Sequence, residues 1–91
     1  MDFFIKLVSG QIVYSRSGRD KGKPFIVISA QGEYAWLADG DIRRIGKPKK
    51  KKLRHIQMTK NISALINGKI AEGTEVLDAD VRKALRDVKV P

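Results

Sequence analysis

The chain has 91 residues, 42% of them apolar and 32% charged, with a net charge of +9 and no cysteine. A domain of this size buries roughly 60–70% of its unfolded surface, enough for one modest core and no second one. The lack of cysteine excludes a disulfide scaffold, a thiolate metal site and a thiol nucleophile.

The start, Met1-Asp2-Phe3-Phe4-Ile5-Lys6-Leu7-Val8, opens on an acid and is interrupted by Lys6. It does not read as a secretory signal. No stretch approaches the ~20 apolar residues of a membrane span. The cytosol is the expected compartment, with no membrane partner. Residues 4–8 read as a short strand or an apolar lead-in. Gln11 to Arg16 is rich in β-branched and aromatic types and predicts a strand. Ser17 to Pro24 is a loop with two glycines and four charges. Pro24 lacks an N–H to donate, so it belongs at the entrance of the next strand. Phe25-Ile26-Val27-Ile28-Ser29 is apolar at four successive positions, which predicts a strand covered on both faces.

Gln31-Gly32 marks a turn. Glu33 to Ala38 predicts a strand with Tyr34 and Trp36 on one face and Ala35 and Leu37 on the other. Asp39-Gly40 reads as a tight type I′ hairpin turn, and Asp41 to Ile45 as the return strand. Residues 46–52 break the pattern, and Leu53 to Met58 predicts a closing strand. From Thr59 the period changes to a helical one, with Ile62, Leu65, Ile66 and Ile70 on one stripe. Thr59 or Asn61 is the expected cap and Gly73 the expected stop. Asp78 or Asp80 caps a second helix carrying Val81, Leu85 and Val88. The expected architecture is mainly β with α: a small β-barrel over residues 1–58, then two short helices over 59–91 that form one domain with it. Ile62, Leu65, Ile66, Val81 and Leu85 are the expected packing residues.

Charge is unevenly placed. Residues 1–60 hold 14 Lys and Arg against 5 Asp and Glu, whereas residues 61–91 hold 5 of each. A basic lobe beside a neutral one is the electrostatic footprint of a polyanion binder. Within that lobe, Gly18-Arg19-Asp20-Lys21-Gly22-Lys23 places cations beside glycines that let backbone approach a phosphate. An ordinary solvated turn is the alternative. It is not a Walker loop, because the spacing and the following helix are absent. In Lys47-Pro48-Lys49-Lys50-Lys51-Lys52-Leu53-Arg54 five lysines and one arginine cannot be neutralised by neighbours, and like charges keep the segment extended. Phosphate contact is the functional reading; a solvated linker or a nuclear-import signal are the alternatives. For Tyr14, Tyr34 and Trp36, core filling is the expected role and base stacking the rival one.

The lone His55 makes neither a metal site nor a Ser-His arrangement, and reads as a strand residue or an RNA contact beside Arg54. Asp39 and Asp41 lie at a hairpin tip without the pocket that general acid/base work needs. No catalytic constellation, metal site or cofactor is expected.

Gly10-Gln11-Ile12-Val13 followed by Gly18 to Ile28 resembles a KOW motif, in which a glycine-valine strand, a lysine-glycine loop and a second apolar strand form one hairpin. The likeness continues through Trp36 to Gly40, Arg43-Arg44, Lys49 to Lys52, and Leu53 to Thr59. In this order the segments resemble the archaeal and eukaryotic large-subunit ribosomal protein fourteen family, and more closely its short bacterial relatives, over about residues 8–60. The resemblance implies an SH3-like barrel that binds RNA, ribosomal RNA first. The residues expected to contact it are Arg16, Arg19, Lys21, Gly22, Lys23, Arg43, Arg44, Lys47, Lys49, Lys50, Lys51, Lys52, Arg54 and His55. Two rivals stand beside this. One is a protein-interaction module of the translation or transcription machinery, using the neutral helical tail to hold a ribosomal or transcription partner. The other is an architectural DNA binder.

Overall fold

The computed structural model describes residues 7–88. Five strands and two helices follow one another: β1 (Gln11–Ser15), β2 (Pro24–Gln31), β3 (Tyr34–Ala38), β4 (Lys49–Lys52), β5 (Ile56–Ile62), α1 (Ala64–Glu72) and α2 (Asp78–Arg86). The strands form one antiparallel sheet in the order β4-β3-β2-β1-β5. One turn of 3-10 helix, Leu53–His55, links β4 to β5 across the sheet.

Period-two alternation sorts the apolar residues into two layers. On one face Val13, Phe25, Val27, Ala35, Leu37 and Ile56 meet in a single cluster, joined by Leu7 and Leu53. On the other face Ile12 and Ile26 are covered by Ile66 of α1, Val81 of α2 and Val76 between the two helices. This is why Phe25-Ile26-Val27 is apolar without alternation: each residue is at most 1% exposed, with a core on either side of the strand. Pro24 stands at the entrance of β2, opposite Tyr14, as expected.

The helices dock by specific contacts. Ser63 caps α1, accepting from the Ile66 N–H at 3.2 Å, and Gly73 closes it in a left-handed conformation. Asp80 links the helices through Lys69 at 2.8 Å and also accepts from the Leu77 N–H at 3.0 Å. The Lys69 contact, then the Leu77 N–H, draw the Asp80 carboxyl below its usual range. At Gly40 the backbone and α2 come close together. The glycine's φ is +78°, and a Cβ there would lie 2.5 Å from the Asp78 carbonyl oxygen. Arg82 Nη1 donates to the Gly40 carbonyl at 2.6 Å.

Several expectations need correction. Residues 41–45 are not a return strand, and Asp39 does not take the positive φ a type I′ turn requires. The Asp39 carboxylate instead accepts from the N–H groups of Asp41 and Arg43, at 2.9 and 2.8 Å. That side-chain turn rounds off a loop, and the Asp78 carboxylate secures its far end through the Ile45 N–H at 2.8 Å. Besides β2, β3 pairs with the lysine run Lys49–Lys52, which was expected to break the strand pattern. β5 runs on to Ile62, through both expected helix caps. Ile66, Val81 and Leu85 pack as expected, but Ile62 and Leu65 are 50% and 52% exposed. The possible strand at 4–8 lies mostly outside the described residues; Leu7 and Val8 are not in a strand.

Candidate nucleic-acid interface

The loop after β1 is organised around an acid. Asp20 is buried in it, and Lys49 and Lys51 reach its carboxylate from β4 at 2.7 and 3.2 Å. The Ser15 hydroxyl donates to the same carboxylate at 2.7 Å, and Lys51 Nζ also donates to the Ser17 carbonyl at 3.0 Å. Burial pushes the Asp20 carboxyl upward and is the largest single influence on it. The hydrogen bonds from Lys49, Ser15 and Lys51 together outweigh it and hold the group well below the usual carboxylate range. The loop is thus riveted to the sheet, and Gly22 sits in it with φ +86° and open space around it.

Two cations of the lysine run are therefore spoken for. Lys51 is buried, and with Lys49 it faces Asp20. The expectation that neighbours leave the run unneutralised fails for these two. Strand geometry explains it: alternate residues of β4 point to opposite faces. Lys50 and Lys52 point the other way and are exposed.

The remaining predicted residues separate into two surfaces. Arg19, Lys23 and Arg43 line a cleft of about 410 Å³ with Lys49, Asp20, Phe25, Asp39 and Ile42. Arg16 is held beside the 3-10 turn by its N–H, which donates to the His55 carbonyl at 2.8 Å. Arg16, Lys21, Arg44, Lys47 and Arg54 are exposed and His55 is half-buried. Among the described residues, none of Arg16, Arg19, Lys21, Lys23, Arg43, Arg44, Lys47, Lys50, Lys52 or Arg54 is in an ion pair.

The second surface is the outer face of β3 and β4. Lys50 lies opposite Trp36 and Lys52 opposite Tyr34. The Lys50 ammonium is 4.2 Å from the Tyr34 ring centroid and 5.7 Å from that of Trp36. A cation over a ring at an exposed site is held by about 0.5–1 kcal/mol. Tyr34 and Trp36 are half-buried on this face, while Ala35 and Leu37 fill the interior. Core filling, the expected role, is taken by the smaller pair. Tyr14 is half-buried in β1.

Asp20 is the residue organising this loop that sequence reasoning missed. Its signal was an isolated acid in a loop of cations, with lysines spaced two apart elsewhere in the chain. Among the described residues no group of His, Cys, Asp and Glu is placed to hold a metal ion. No helix of the described residues is long and apolar enough to cross a membrane. In comparisons with known proteins, no family model and no curated protein matches the sequence.

Proposed function

We propose that this chain is an SH3-like barrel of KOW type that binds RNA, ribosomal RNA being the leading candidate, through the phosphate backbone. The barrel reading is supported by the strand order β4-β3-β2-β1-β5 and by the 3-10 turn between β4 and β5. One observation carries the binding reading. Cations from three separate segments, residues 16–23, 43–47 and 50–54, gather on two surfaces, the cleft lined by Arg19, Lys23 and Arg43 and the outer face of β3 and β4, and among the described residues only Lys49 and Lys51 of this set are ion-paired. Phosphate contacts of this kind give affinity without sequence information. The role is binding, not catalysis, and it needs no cofactor. The cytosol is the compartment it implies.

Titration of a labelled RNA over a range of salt concentrations tests the proposal. With about five phosphates contacted, log K falls with log[salt] at a slope of roughly −3.5 on single strands or −4.5 on duplex. A flat response refutes it. Duplex DNA competing equally with structured RNA at the same salt favours the architectural alternative.

A protein-binding role is the second reading, favoured by Ile62 and Leu65. They lie exposed at the β5–α1 junction, on the neutral third of the chain. A copurified protein that survives nuclease and high salt would favour it.

A further inference from the structure

We propose that the outer face of β3 and β4 is a stacking site for unpaired bases of single-stranded RNA, with Trp36 and Tyr34 as the platform. This rests on the RNA-binding reading and names the form of RNA bound. Four observations support it. The two rings stand two residues apart on one strand, anchored by partial burial yet open to solvent. Their β2 neighbours on the same face, Ser29 opposite Trp36 and Gln31 opposite Tyr34, are exposed and polar, so among the described residues no apolar layer covers the rings from that side. The helices cover the other end of this face, over Ile12 and Ile26. On the far side β4 is the edge of the sheet among the described residues and carries Lys50 and Lys52 beside the rings.

Aromatic rings flanked by cations are what a single strand requires, since every base has a π-face and every nucleotide a phosphate. A duplex offers phosphates but keeps its bases stacked on each other. In the free protein the Lys50 ammonium rests on the Tyr34 ring. That contact is weaker than a base stack. An arriving base displaces the ammonium, which is then free to meet the adjoining phosphate. Lys50 thus acts as a cover on the ring and as the phosphate contact once it lifts.

Trp36 is the chain's single tryptophan, so its emission reports on this face alone. Three probes separate the contributions: a ten-residue oligoadenylate, an abasic ribose-phosphate strand of the same length, and a G·C-rich RNA duplex that stays paired at low salt. Anisotropy follows binding of each, and tryptophan emission follows stacking. We expect all three to bind at low salt and only the unpaired oligoadenylate to quench Trp36. Trp36→Leu should weaken the oligoadenylate at least about fivefold, the lower end for one lost stack, and leave the abasic strand unchanged. Trp36→Phe keeps a ring and should bind nearly as the parent does. Binding of oligoadenylate with unchanged emission and no loss in Trp36→Leu overturns the stacking site but leaves RNA binding intact. Failure of all three probes to bind overturns both. Quenching by a proline-rich peptide but not by oligoadenylate overturns the site in favour of a peptide surface.

Discussion

Replacing Asp20 with Asn removes the anion between Lys49 and Lys51 while keeping the side chain's shape. Loss of one partner of a buried ion pair costs about 3–5 kcal/mol, because the other charge is left buried without compensation. Lys51 is the charge at risk, with 8% of its side chain exposed; Lys49 is 26% exposed and can turn to water. Solvent reaches part of the cluster and the amide still accepts one hydrogen bond, so we expect a loss of about 2–3 kcal/mol. In a domain of this size that lowers the melting temperature by roughly 10–20 °C, which circular dichroism measures directly. The double variant Asp20→Asn/Lys51→Met should be more stable than Asp20→Asn alone, since it also removes the orphaned ammonium. The reasoning is refuted if Asp20→Asn is neutral, or if adding Lys51→Met makes it worse. Acid titration supplies an independent check. The Asp20 carboxyl is held below its usual range in the folded protein. Its contribution is therefore complete above the unfolded value of about 3.9 and is lost as pH falls through the folded one. Between those limits the parent should lose up to about 1.4 kcal/mol per pH unit relative to Asp20→Asn.

Three further outcomes follow from the same geometry. Gly40→Ala forces a Cβ toward the Asp78 carbonyl in a left-handed conformation; it should cost at least about 1–2 kcal/mol and lower helicity as α2 loosens, read by denaturant unfolding. Ile66→Ala, at a fully buried position, should cost about 2–5 kcal/mol, whereas Ile62→Gln and Leu65→Gln should stay within about 0.5 kcal/mol of the parent; equal losses would mean that the exposed pair is packed. Lys50→Ala/Lys52→Ala should weaken RNA of every sequence alike and flatten the salt slope by roughly 1.4 on single strands, while Lys51→Met should lower stability and leave that slope unchanged.

The sequence makes some of this visible and hides the rest for physical reasons. β1 to β3 are legible because their apolar residues alternate or run together in ways only a strand explains. The lysine strand is hidden. Lysine is depleted in strands, and β4 exists because β3 supplies its backbone partners and Asp20 accepts two of its side chains. Asp39-Gly40 has the composition of a hairpin turn, yet distant groups decide its conformation: Arg82 and Asp78 draw the loop onto α2. Alternation says that Tyr34 and Trp36 share a face, but it cannot say which one. In the structure Ala35 and Leu37 take the interior, joining Val13, Phe25, Val27 and Ile56 from other strands, and those contacts are not local in sequence. Of the candidate site, the cationic composition is legible, while the split between cations that hold the loop and cations that face outward is not. That split depends on Asp20, 29 residues before Lys49.

The most direct test of the account is an amide chemical-shift titration with single-stranded RNA at physiological salt. RNA binding through the basic lobe predicts shifts in residues 16–23, 43–47 and 50–55, together with Tyr34 and Trp36, and none in α1 or α2. Shifts confined to Ile62, Leu65 and the helices, or no shifts at all, would contradict it.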